Sequence, residues 1–176
     1  GEAFITAVGK LRDLGIRFDE GAAALGVMAN AGIKGSEAGR GLSAILTNLT
    51  APTGQAKKAM EELGISVFDS NGEFVGIEES LRRVDKALDG MTQAQQAMYK
   101  SMIAGKEHAK TFSALMNGLG GDFDKLTEDI DNSKGALDEM YEIMTDNLKG
   151  RWDEFKSALE EAGIAIFKNL QPALET

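Results

Sequence analysis

The residues able to do chemistry are few and poorly placed for it. His108 is the single histidine, and cysteine is absent. Within these 176 residues that excludes a histidine-based triad, a two-histidine zinc site, a thiolate metal site and a thiol nucleophile. His108 stands beside Glu107 near Gly105 and reads as a solvated or hydrogen-bonded surface residue. Carboxylates abound, but the pairs Glu61-Glu62, Glu78-Glu79 and Glu160-Glu161 are sequence neighbours that diverge around a helix. Glycoside hydrolysis needs two carboxylates facing one cleft. The acidic run from Asp122 to Asp131 fails as a calcium loop. With Asp129 at position 1, Lys134 occupies the obligatory glycine position and Met140 the closing glutamate position. Gly32, Gly35, Gly39 and Gly41 lack the preceding strand, the G-x-G-x-x-G spacing and the Walker lysine of a phosphate cradle. No catalytic residue, metal or cofactor is therefore expected.

Charge narrows the partners. The formal net charge is −9, which repels phosphate, and basic residues occur only as pairs (Lys57-Lys58, Arg82-Arg83) or singly. Aromatic residues do not interleave with them, so direct nucleic-acid binding is not expected. No apolar run approaches the length of a membrane span, and no signal-peptide pattern is present. The chain begins inside a helical pattern, as a fragment of a longer protein would.

Glycine, at 21 residues, exceeds its usual share of about 7%. Most glycines stand where an apolar helical stripe stops (Gly15, Gly32, Gly64, Gly90, Gly105, Gly118). That pattern describes many short helices with sharp ends. Phe4, Ile5, Val8 and Leu11 mark the first stripe. Leu25, Met28 and Ala29 mark an alanine-rich helix that Asp19 is placed to cap. Ser36 is an N-cap candidate for a helix burying Leu42, Ile45, Leu46 and Leu49. Gly39 shares that stripe, which requires another backbone to pass close by. Pro52 stops this helix. Thr53 opens the next, with Ala56, Ala59, Met60 and Leu63 inward and Gly64 at its C′ position.

Ile65 to Phe68 and Phe74-Val75 flank Asp69-Ser70-Asn71-Gly72. Asn71-Gly72 is the favoured centre of a type I′ turn, so a small β-hairpin is expected over about residues 65–75. Beyond it, Ile77, Leu81, Val84 and Leu88 define a helix, with Glu78 and Glu79 suited to its positive end. Thr92 to Gln95 has the capping-box pattern and opens a helix with Ala94, Met98, Met102 and Ile103 inward. Ala109, Phe112, Leu115 and Met116, then Phe123, Leu126 and Ile130, mark two more helices either side of the break at Gly118, Gly120 and Gly121.

The last stretch differs in kind. From Leu137 to Leu170 apolar residues recur at spacings of 4-3-4, 4-3-4 and 3-4-4, an 11-residue period. That period gives straight or slightly right-handed helices. If unbroken at Gly150, a helix from Lys134 to Leu170 would run for about 55 Å. Up to Leu148 the stripe is expected to pack on its own domain. Trp152, Phe155, Leu159 and Ile166 lie beyond what the short helices cover and are candidates for pairing with other copies of the chain.

The succession AGIKGSEAG, AKKAMEELGI and DSNGEF, followed by IAGKEHAKTFSALMNG and MTDNLKGRWDEFKSALEEAGIAI, resembles the phage and prophage tail tape-measure family over nearly the whole chain. The resemblance implies a structural protein without an active site. It is made in the bacterial host cytoplasm, held in the tail lumen of the virion, and partnered by tail-tube and tail-assembly chaperone proteins. Two other classes stay open at this level: a soluble adaptor-like or chaperone-like helical module, and a helical lysozyme-like hydrolase domain. The fold expected is mainly α: a compact helical domain over residues 1–132 with one hairpin, and a long helical arm over 133–176.

Overall fold

Helix stripes with glycine ends fold as the sequence spacing dictates. The computed structural model describes residues 9–16, 18–33 and 35–131. Among them are seven α-helices: α1 Phe18–Asn30, α2 Gly35–Thr50, α3 Gly54–Leu63, α4 Ile77–Leu88, α5 Gln93–Ala104, α6 Ala109–Asn117 and α7 Gly121–Asp131. Residues 9–13 are also helical, and a 3₁₀ turn, Lys106–His108, joins α5 to α6.

The central element is α1, which packs against α2, α4, α6 and α7. Ala22, Ala23, Ala24, Leu25, Val27 and Met28 are all buried. A helix apolar on every side belongs inside a core, and small residues let several partners reach it at once. The would-be Cβ of Gly26 lies 2.9 Å from Leu126 Cδ1 of α7, and that of Gly21 lies 2.2 Å from Leu11 Cδ1. From the other side, Gly118, just past α6, admits Val27: a Cβ there would sit 2.4 Å from Val27 Cγ1. Around α1 the expected stripes close the core, with Leu42, Ile45, Leu46 and Leu49 of α2, Ile77, Leu81, Val84 and Leu88 of α4, and Phe112 and Leu115 of α6 each at most 2% exposed.

Short helices leave orphan backbone groups at both ends, and this chain satisfies them in two ways. One device recurs three times. Gly15-Ile16, Gly32-Ile33 and Gly64-Ile65 each end a helix with the glycine at positive φ. The isoleucine N–H donates five residues back, to Leu11, Met28 and Met60 respectively, and the glycine N–H to Arg12, Ala29 and Glu61. This is the Schellman arrangement, in which the residue after glycine also returns to the core. Ile16 and Ile33 are buried, and Ile65 packs against the same cluster.

The second device is a cap supplied from afar. Gly76 holds the N-cap position of α4 at φ +100° and offers no side chain. Glu20 of α1 takes over: its Oε1 accepts from the Ile77 N–H and, at 3.4 Å, from the Glu78 N–H. Gly76 is also where Glu20 presses in, since a Cβ there would lie 2.8 Å from Oε1. Glu78 and Glu79 instead pair with Arg82 and Arg83 one turn on, at 2.8 and 3.1 Å. At the far end of α5, Asn48 Nδ2 donates to the Ile103 carbonyl at 2.9 Å.

Several expectations are corrected. The hairpin over residues 65–75 does not form as paired strands. Phe68 and Phe74 make one isolated antiparallel bridge, with Asp69 N–H donating to Glu73 O and Val75 N–H to Val67 O. The arms are too short for a ladder, because Gly64 ends α3 just before them and Gly76 starts α4 just after. The turn is centred on Ser70-Asn71 through Gly72 N–H to Asp69 O, not on Asn71-Gly72. Asp69 Oδ1 organises it by accepting from the Asn71 and Glu73 N–H groups.

Met98 and Ala94 point outward, not inward, because α5 packs through Ile103, Ala104 and the half-buried Tyr99 and Met102. Asp19 and Ser36 lie inside their helices, which start one residue earlier. Thr53 holds the N-cap position of α3 without a side-chain bond. The capping box of Thr92 and Gln95 is present in both directions. Phe4, Ile5, Val8, the side chain of Ile130 and the expected arm over 133–176 lie outside the described residues.

Glu20→Ala is expected to lower stability by about 1–2 kcal/mol, the worth of an N-cap. Glu78→Ala, which removes an exposed i,i+4 pair, should change it by less than about 0.5 kcal/mol. Urea midpoints of the two variants compare them directly, and equal losses would contradict a cap supplied by Glu20.

Candidate interaction surfaces

The groups singled out for chemistry do not converge. Glu61 and Glu62 are exposed on α3, and Asp122, Asp124 and Glu128 are exposed along α7. Among the described residues no three His, Asp or Glu side chains come together as a metal site. Glu62 instead accepts the Tyr99 hydroxyl at 3.1 Å, and this bond to a carboxylate holds the phenol above its ordinary range.

His108 is half-buried, and its Nδ1 is enclosed with no hydrogen-bond partner among the described residues, which corrects the solvated reading. It turns toward α2 at Gly41, where a Cβ would lie 3.6 Å from Nδ1 and 2.9 Å from Thr111 Cγ2. Thr111 is fully buried, and its hydroxyl likewise meets no partner among the described residues. Gly39, chosen from the stripe as the point of close packing, is buried on the same helix. The close approach of α6 described here is at Gly41, whose sequence spacing from the α2 stripe gave no hint of it.

Two apolar features remain open to solvent. The first is an open groove of about 370 Å³ where the end of α2, α3 and residues 64–68 meet. Leu49, Pro52, Met60, Ile65, Val67 and Phe68 form its apolar wall, with Lys57 and Glu61 also lining it. Glu61 is the single carboxylate there, so this groove lacks the facing pair that glycosidic hydrolysis uses. Phe68 is 37% exposed and packs edge-to-face on Phe74, ring centres 6.5 Å apart. Asn71 and Gly72 are exposed in the adjoining turn. The second feature is the outer face of α5, where Met98 is 48% exposed. A cue was present in the sequence: Gly90 to Gly105 carries one charge, Lys100, in an otherwise highly charged chain. Trp152, Phe155, Leu159 and Ile166 lie outside the described residues. Among those described, no helix is long and apolar enough to cross a membrane.

The sequence profile of phage-related minor tail proteins matches residues 1–105, and the chain belongs to that family. The tape measure protein of Pneumococcus phage Dp-1 is 35% identical over 161 residues, which is 92% of this chain and 14% of that protein. The probable tape measure protein of Escherichia phage P2 is 36% identical over 176 residues, 98% of this chain and 22% of that protein. The chain thus spans less than a quarter of either relative. No solved structure matches it. The tail-family resemblance read from the residues is borne out.

Thr111→Val keeps the shape of the side chain and removes a buried hydroxyl that no group among the described residues meets. It should raise stability by about 1 kcal/mol, the low end of the cost of an unsatisfied buried group. Thermal melts read this, and a destabilised variant would show that the hydroxyl is satisfied in solution.

Proposed function

We propose that this chain is a folded helical segment of a tape-measure protein. The observation that carries it is the identity of about one residue in three, sustained over 92% and 98% of the chain, with two tape measure proteins. The mechanism follows from helix geometry. A helical rod lengthens by about 1.5 Å per residue, so protein length sets tube length while tail-tube subunits polymerise around it. The protein then leaves the tube ahead of the genome and assists its ejection. The role is structural and not catalytic.

Within that scheme residues 1–132 act as a compact unit. Residues 133–176 form an arm whose second half, through Trp152, Phe155, Leu159 and Ile166, pairs with other copies. Tail-tube and tail-assembly chaperone proteins are the further partners. The protein is made in the host cytoplasm and lies in the tail lumen after assembly. A net charge of −9 suits a lumen through which DNA must later pass without being held.

Light scattering of the full chain against a form ending at Leu148 tests the arm. Higher-order species are expected only for the full chain, and equal masses would remove the pairing. Phe155→Asp with Leu159→Asp should abolish association and leave the thermal transition in place. Removing the parent gene from a phage that carries it should leave tails absent or of irregular length, seen by electron microscopy. Tails of normal length would overturn the tape-measure role.

A further inference from the structure

The exposed positions of α4 show how this protein usually faces water: Glu79, Arg82, Asp85 and Lys86 are all charged. On α5 the exposed positions are Gln93, Ala94, Gln95, Ala97 and Met98, with no charge among them. Met91, Ala94, Met98 and Met102 follow one another at helical spacing. Met91 and Met102 pack partly on the core, while Ala94 and Met98 stand open. The result is an apolar, methionine-lined ridge flanked by small residues, a surface that adapts to a partner side chain.

We propose that this face of α5 is the docking site for residues 134–148 of the same chain, seated through Leu137, Tyr141, Met144 and Leu148. The chain continues for 45 residues past Asp131, where α7 ends. The inner positions of α1 to α7 are already buried by one another, so the later stripe must find an outer surface. Charge selects which one. Residues 134–148 carry Asp138, Glu139, Glu142 and Asp146 against a single lysine, Lys134. Residues 90–121 carry Lys100, Lys106 and Lys110 against Glu107 alone, a positive stretch in an acidic protein. Lys106 and Lys110 are exposed. Neither α4 nor α7 offers a net positive face: exposed Glu79 and Asp85 of α4 are balanced by Arg82 and Lys86, and exposed Asp122, Asp124 and Glu128 of α7 outnumber Lys125. Tyr141, the one aromatic residue of the segment, suits the methionine sulfurs of the ridge. Leu137 lies six positions past Asp131, a link that spans about 20 Å when extended.

The absence of cysteine makes the test direct. In the full chain, Met98→Cys with Met144→Cys is treated with a short bismaleimide at low protein concentration. A cross-linked product of monomer size is expected, forming about tenfold faster than with Arg82→Cys paired with Met144→Cys, because docking raises the local concentration of one pair only. No cross-link, equal cross-linking of both pairs, or a dimer-sized product would each overturn in-chain docking. Hydrogen exchange supplies a second readout through Met98→Glu, a change at an exposed position. Peptides from residues 137–148 should exchange several-fold faster in that variant, with α4 peptides unchanged. Unaltered exchange in 137–148 would equally refute the proposal. Neither result depends on how the parent protein acts in a tail.

Discussion

The fold depends on how narrow α1 is. A helix made of glycine, alanine and a few larger apolar residues presents its backbone almost bare, and α2, α4, α6 and α7 all pack on it. Leu126 approaches where Gly26 has no side chain, and Val27 enters where Gly118 has none. Glycine within a helix costs about 1 kcal/mol of propensity. Here that cost is offset by contacts that a larger residue would block. A core assembled from helices of 9 to 16 residues has little intrinsic helicity to draw on, so its order comes from packing around this one thin axis.

Helix ends are the second constraint, because a chain with many short helices has many of them. The Gly-Ile terminations satisfy orphan carbonyls and turn an isoleucine back into the core in a single step. Where no local cap exists, the tertiary structure supplies one, as Glu20 does for α4 and Asn48 for α5. These long-range caps fix the rotation of one helix against another, which apolar packing alone leaves loosely specified. The same helices leave two apolar surfaces uncovered, the groove beside Phe68 and the ridge at Met98.

Much of this was legible in the sequence. The stripes of α2, α4 and α6, the capping box at Thr92 and the stop at Gly64 follow from spacing and local chemistry, and the structure has them where expected. The central place of α1 was not legible: an alanine-rich segment has a weak stripe, and nothing local distinguishes a small helix from a core axis. A turn was legible, though it is centred one residue earlier, on Ser70-Asn71; a hairpin needs strand length as well, and the neighbouring helices left none. Met98 falls at the correct period for burial yet faces water, because period alone does not tell which of two faces finds a partner. Glu20 and Ile77 are 57 residues apart, so their bond belongs to topology and leaves no local trace.

The packing of α7 on α1 has a consequence for the order of events during synthesis. The two helices lie about a hundred residues apart in the chain, and contacts of such separation form late, since the intervening loop must close first. Until Asp131 has left the ribosome, the apolar side of α1 that Leu126 covers has no mate, and the nascent polypeptide carries that surface bare. The matched family segment ends at residue 105, ahead of α6 and α7. A truncation placed there would remove Phe112, Leu115, Phe123 and Leu126 together and leave a sticky, half-built product.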